Sequence, residues 1–170
     1  MNVYTAIKER RSIRCFEKKD IPQDAVERLI DALLWAPSAG NLQSRKFYFV
    51  RDAALKQRLG EEALGQRFLA GAPIVIVACA DERAVSKYGP RGTGLYCVQD
   101  ASISIMGMML AAHELGLGSV WVGAFSEEGV SGVLDLPSWL RPVAIVPVGY
   151  PAETPRAPKR VSSREAVLFL

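Results

Sequence analysis

Apolar residues recur in two kinds of pattern along this chain, and their alternation predicts its elements. Val26, Leu29, Ile30, Leu33 and Leu34 fall at helical spacing, which predicts a helix with one apolar stripe. Ile21-Pro22 opens it, with Asp20 upstream as a cap. Pro37 cannot continue a helix and biases Ala36 away from helical angles, so the stop is expected near Trp35. Ile74 to Cys79 is instead an unbroken, largely β-branched run, as in a strand buried on both faces. Lys46–Val50, Ser119–Val122 and Val143–Val148 predict further strands, and Val3–Glu9, Asp52–Gly60 and Arg67–Ala70 short helices. The longest helical candidate, Leu95–Leu115, is apolar around most of its circumference through Val98, Ala101, Ile103, Ile105, Met106, Met108, Met109 and Leu110. Such a helix sits at the centre of a domain or at a subunit interface, and Gly116 ends it.

The punctuation between these elements is polar. Asp81–Gly94 carries Gly89, Pro90, Gly92 and Gly94 and reads as a loop. From Tyr150 on, Pro151, Pro155 and Pro158 forbid regular structure. Ser162-Ser163-Arg164-Glu165 is a capping-box pattern that starts a final short helix. Strands mixed with helices on either side predict a three-layer α+β domain over residues 1–150 with a long buried central helix. Residues 151–170 form an extended arm whose apolar end, Val167 to Leu170, is expected to dock on a partner subunit. There is no internal repeat.

Composition narrows the class. A chain of 170 residues with 49% apolar residues supports one cored domain. The net charge of +3 attracts small anions and lacks the concentrated basic stripe of a nucleic-acid binder. Cys15, Cys79 and Cys97 are odd in number and widely spaced, which excludes a disulfide framework and points to a reducing cytoplasm. One histidine, His113, leaves no zinc site of ordinary type. The N-terminus has no signal-peptide pattern, and the longest apolar stretch, Pro73 to Ala80, is too short to span a bilayer, so no membrane role is expected.

Two segments carry candidate chemistry. Arg10-Arg11-Ser12-Ile13-Arg14 offers three guanidinium groups and a hydroxyl within five residues. Arginine's planar fork of donors matches phosphate oxygens; the alternative is a solvated basic turn. Ala36-Pro37-Ser38-Ala39-Gly40-Asn41-Leu42-Gln43 offers two side-chain amides, each donor and acceptor at once, suited to the alternating edge of a flavin ring. Its alternative is an ordinary post-helix turn. The remaining features are weaker. His113 reads as structural or a helix-end cation, and Cys15, Trp35, Trp121 and Trp139 as packing. Met106, Met108 and Met109 are core filler. Gly116-Leu117-Gly118 lacks the third glycine of a dinucleotide fingerprint, and Gly92-Thr93-Gly94 lacks the Lys-Ser/Thr of a P-loop.

Taken together, the arginine segment, a helix and the amide segment before a strand resemble the nitroreductase family of FMN-dependent oxidoreductases. Gln99-Asp100-Ala101 opening the apolar helix, Leu115 to Gly123, and Val148-Gly149-Tyr150-Pro151 followed by Lys159-Arg160 are similar to later family segments, in order over nearly the whole chain. The resemblance implies an α-β-α fold with a mostly antiparallel sheet, and a homodimer with FMN in two interface clefts. By motif position Arg10, Arg11, Ser12 and Arg14 hold phosphate and ribityl groups. Pro37, Ser38, Ala39, Asn41 and Gln43 reach the same flavin from the partner chain. Val122 and Gly123 lie near the ring, and Lys159 or Arg160 returns to the phosphate. It further implies hydride transfer from NAD(P)H and a ping-pong reaction with nitroaromatic, quinone or similar acceptors, the protein supplying no nucleophile. Asp81 to Tyr96 would be the lid over the cleft, with Tyr88, Arg91 and Tyr96 as substrate contacts. The alternatives are a dedicated reaction on the same fold, reductive dehalogenation or flavin fragmentation, and a non-enzymatic flavin-binding dimer or basic interaction module.

Overall fold

The structure, a computed structural model, describes residues 1–170. In chain order it contains α1 (Val3–Glu9), α2 (Gln23–Leu34), β1 (Arg45–Val50), α3 (Ala53–Glu62), α4 (Phe68–Gly71), β2 (Ile74–Asp81), α5 (Gly89–Arg91), α6 (Cys97–Glu114), β3 (Gly118–Ser119), α7 (Glu127–Leu134), β4 (Leu140–Gly149) and α8 (Ser163–Ala166). The four strands form one sheet in the order β1-β2-β4-β3, every pair antiparallel.

The apolar run of β2 explains the three layers. Successive side chains of a strand point to opposite faces. Ile74, Ile76 and Ala78 pack with Leu29 and Leu33 of α2 and Ile105 and Met108 of α6. Val75, Val77 and Cys79 pack with Leu59 of α3, Leu69 of α4 and Val130 of α7. All six β2 residues are 2% exposed or less, so neither face tolerates a polar group. Each such aliphatic side chain stabilises by roughly 1.5–3 kcal/mol relative to leaving it in water.

Several local expectations are corrected. Asp20 does not cap α2, whose N-cap is Pro22 with no side-chain hydrogen bond. The strand expected over Ser119–Val122 contracts to Gly118–Ser119, although Val122 still exchanges two backbone hydrogen bonds with Ile145, 2.9 and 3.0 Å. Asp81–Gly94 is not a loop. Asp81 ends β2, Ser86–Tyr88 makes a 3-10 turn, α5 follows, and a wide π-helical turn over Gly92–Tyr96 leads without a break into α6. Val85 drives this ordering: fully buried, it forms a small core with Ala80 and Cys97. A side chain at Gly92 would collide with the Val85 carbonyl and with Tyr88.

The helical stretch Ser86–Glu114 is long and apolar enough to cross a membrane. Its core-facing residues are instead buried against α2 and the sheet, while Ile103 and Met106 stay 46% and 42% exposed. α6 is therefore central but not buried all round. α7 had no counterpart in the hydrophobic pattern, because Gly129 and Gly132 interrupt its helical signal. It forms because Ser126 Oγ accepts from the Gly129 N–H at 2.9 Å and Asp135, at φ 50°, closes it in the left-handed region.

Candidate functional site

The arginine segment is held by its backbone. Arg10 caps the end of α1, donating its N–H to Ala6 O at 3.0 Å. The chain then runs extended: Ser12 pairs with Ser119 as in a parallel ladder, and the Ile13 N–H reaches Ser119 O at 3.1 Å. On the other side the start of the arm pairs with it, through Glu17 N–H to Tyr150 O and Ala152 N–H to Cys15 O, both 2.9 Å. Glu153 Oε1 accepts from the Arg14 and Cys15 N–H groups. Ile13 points into the protein, against Gly118, and is 6% exposed, whereas Arg14 is exposed.

The charges of this segment are unbalanced. Arg11 Nη1 donates to Lys8 O and Arg10 O at 2.6 and 3.0 Å, closing the C-terminal turn of α1. Arg10 Nη1 is buried with no hydrogen-bond partner. Burial, then the neighbouring charges of Arg11 and Arg160, push the Arg10 pKa down. An arginine stays protonated in proteins regardless, so a half-buried positive charge lies near two others of the same sign. Arg160 of the arm is near enough for its charge to act on Arg10, and both it and Lys159 are exposed. A phosphomonoester satisfies such a cluster by accepting its donors and neutralising it.

The amide segment is held by side chains instead. Asp100, in the first turn of α6 and 3% exposed, accepts from Ala39 N–H at 2.9 Å, Ser44 N–H at 3.4 Å and Ser44 Oγ–H at 2.5 Å. Arg45 donates to Pro37 O, Leu34 O and Ala36 O at 3.0, 3.0 and 2.7 Å, closing the end of α2. Burial lowers the Arg45 pKa and the charge of Asp100 opposes that shift. Ser38 Oγ accepts from Gln43 N–H at 3.0 Å. Inside this frame Gly40, Asn41 and Gln43 all sit in the left-handed region, φ 54°, 56° and 51°. Asn41 and Gln43 are exposed. Pro37, Ser38 and Ala39 line a cleft of about 590 Å³ with Tyr96, Gln99 and Asp100.

The remaining expected residues lie nearby but apart. Gly123 lines a third cleft, about 320 Å³, with Gly94, Phe125 and Arg141, while Val122 is buried. Tyr88, Arg91 and Tyr96 interlock: the tyrosine rings meet edge-on at 5.5 Å, and Arg91 Nε donates to Tyr96 Oη at 3.1 Å. The Tyr88 hydroxyl rests against Gly40, where a side chain would displace it. The arginine segment, the amide segment and Gly123 line three clefts that share only Val98 between the last two, and none with the first. Asp100, Arg45 and Glu153 organise the site without having been singled out as site residues. The one signal was a carboxylate, Asp100, opening an otherwise apolar helix.

An antiparallel sheet between helical layers, an arginine segment ending α1 and a clamped amide turn after α2 define a known class of flavoprotein fold. The sequence model of the nitroreductase family matches residues 7–67 and 60–150, and the chain belongs to that family. It is 31% identical over 197 residues to the NADH dehydrogenase of Thermus thermophilus, covering 99% of this chain and 96% of that one. It is 29% identical to an FMN reductase (NAD(P)H) of Bacillus subtilis, covering 96% and 73%. The FMN-dependent nitroreductase of Clostridium difficile superposes with a TM-score of 0.84 at 27% identity, covering 98% of each chain.

Proposed function

We propose that this protein is an FMN-dependent NAD(P)H oxidoreductase that works as a homodimer and passes two electrons to nitroaromatic, quinone or similar acceptors by a ping-pong reaction. One observation carries the reading: Arg10 Nη1 is buried without a hydrogen-bond partner while the charges of Arg11 and Arg160 act on the same guanidinium, an excess of donors and positive charge that suits an anion. Arg10, Arg11, Ser12 and Arg14 hold the phosphate and ribityl groups, with Lys159 and Arg160 closing over them. Pro37, Ser38, Ala39, Asn41 and Gln43 of the twin chain meet the ring edge, and the Val122-Gly123 backbone lies beside it. When bound, FMN supplies the redox chemistry, accepting a hydride equivalent from NAD(P)H and delivering two electrons to the acceptor.

The chain's own residues orient and exclude water. The arginine cluster fixes the anionic end, and the turn with left-handed Gly40, Asn41 and Gln43 presents amides already in place to bind. The Tyr88–Arg91–Tyr96 cluster stands over the amide turn as an ordered lid and orients the acceptor. Dimerisation is supported by the surface. Val3, Tyr4, Ile7, Leu34, Trp35, Ile103 and Met106 are all exposed, as is the apolar end of the arm, Val167 to Leu170. So much exposed apolar area on a small chain marks an interaction face. The arm over residues 151–170 docks on that partner, and the enzyme works in the cytoplasm.

The test is to purify the protein, record its visible spectrum and follow NADPH oxidation with menadione. A yellow dimer that releases one FMN per chain on denaturation and turns over is expected. A colourless monomer that ignores added FMN overturns the reading.

A further inference from the structure

The lid proposed over the amide turn carries positive charge that the reading above does not use. Residues 81–96 contain five charged side chains: Asp81, Glu82, Arg83, Lys87 and Arg91. The first three are paired. Asp81 meets Arg83 at 3.3 Å, and Glu82 meets Arg141 of β4 at 3.5 Å. No carboxylate pairs with Lys87 or Arg91. Both are exposed, so the stretch keeps two free cations and no free anion.

Exposed cations are common, and what separates these two is how they are held. Lys87 Nζ lies 5.2 Å from the centre of the Tyr88 ring, and the Arg91 guanidinium 5.6 Å from that of Tyr96. The two rings meet edge-on at 5.5 Å. Both cations therefore rest on one aromatic pair, which restrains them without neutralising them. Arg91 Nε donates to Tyr96 Oη at 3.1 Å, and neither Nη group has a partner. The end of the guanidinium that grips a phosphate with two parallel bonds is thus left open. The same aromatic pair borders the amide turn: Tyr96 lines the cleft with Pro37, Ser38 and Ala39, and the Tyr88 hydroxyl rests against Gly40. Lys87 and Arg91 stand at the edge of that cleft.

NADH and NADPH bring the flavin the same nicotinamide. They differ only by a phosphomonoester on the adenosine ribose, a group of about −1.5 to −2 charge at pH 7. It is remote from the ring that gives up hydride, so its reader belongs at the edge of the cleft. The flavin's own phosphate is assigned to the arginine segment, whose cleft shares no lining residue with this one. Nitroaromatic and quinone acceptors bring no negative charge of their own for two cations to bind. We propose that Lys87 and Arg91 select NADPH over NADH by binding its additional phosphate. This inference rests on the flavin reading for the reaction and on the lid's own charges for the choice of nucleotide.

The test takes the FMN-loaded protein with menadione as acceptor and compares kcat/KM for NADPH with kcat/KM for NADH. Their ratio cancels whatever a variant does to the flavin or to the acceptor. The wild-type ratio is expected to favour NADPH about tenfold or more, and to fall as salt is raised. Arg91→Ala and Lys87→Glu each bring it towards one, and Arg91→Lys keeps part of it. Calorimetry reads the same choice without turnover, with adenosine 2′,5′-bisphosphate set against adenosine 5′-monophosphate. The bisphosphate is expected to bind at least about tenfold more tightly, an advantage that Arg91→Ala removes. A wild-type ratio near one overturns the proposal. So does a preference that survives both Arg91→Ala and Lys87→Glu, because the phosphate is then read elsewhere. A colourless protein that oxidises neither nucleotide contradicts the flavin reading, and the calorimetric comparison still decides this one.

Discussion

Residues 10–14 and residues 37–43 are both irregular stretches that carry exposed or unbalanced polar groups, yet they are immobilised by opposite means. The arginine segment is pinned by main-chain hydrogen bonds, from Ile13 to Ser119 within it and from Cys15 and Glu17 to Ala152 and Tyr150 just after it. Of its arginines only Arg11 is engaged, through Nη1 on two carbonyls, and Arg10 Nη1 has no partner at all. The amide turn has few main-chain bonds of its own and is pinned by buried side chains, Asp100 from α6 and Arg45 from β1. A segment that must offer charge to a ligand can be fixed by its backbone at no expense of that charge. A segment that must hold left-handed residues cannot join a ladder, so neighbours with strong donors and acceptors hold it from outside. Preorganisation is the same in both; the residues that supply it differ.

The contrast is broken most severely at Asp100. Asp100→Asn keeps the shape but removes the charge that accepts three donors and faces Arg45. The expected loss is about 2 kcal/mol of stability, read by chemical denaturation, with FMN affinity falling as the turn loosens. Asn41 and Gln43 are unchanged, so an unaltered FMN affinity in a folded Asp100→Asn protein denies the clamp any part in binding.

A smaller effect sharpens the same point. Gly40→Ala places a side chain at φ 54° and against the Tyr88 hydroxyl. It is expected to destabilise by about 1–2 kcal/mol from the backbone alone, plus a steric part that Tyr88→Phe relieves. A double-mutant cycle of the two changes measures that coupling, and strict additivity means that lid and turn do not touch. The smallest effect is at the lid. Replacing Tyr88, Arg91 and Tyr96 by alanine is expected to raise KM for bulky acceptors several-fold while leaving FMN content unchanged. Identical kinetics with every acceptor remove the lid from the account.

What the sequence reveals of this molecule follows from how local the cause is. β2 is legible because burial on both faces writes an unbroken apolar run into six neighbouring residues. The arginine and amide segments stand out because each packs its charged or amide groups into a few neighbouring positions. Arg45 was illegible. Its three acceptors lie eight to eleven residues earlier, at the end of a helix, and no spacing rule marks such a closure. The order of residues 81–96 was hidden for a similar reason: glycines and a proline read as loop, while one buried valine, Val85, folds the stretch onto the core. Arg11 shows a further limit. Its type suits phosphate, but its Nη1 closes a helix end, a use that only the geometry reveals.

The claim on which the account rests is that the arginine cluster suits an anion, and that FMN brings it. Titrating FMN into apo wild-type and Arg10→Ala protein, followed by flavin fluorescence, tests it directly. The account predicts one FMN per wild-type chain and a loss of about 10- to 100-fold in affinity for Arg10→Ala, the range for charge-assisted hydrogen bonds to a phosphate. Equal affinity in the two folded proteins contradicts it.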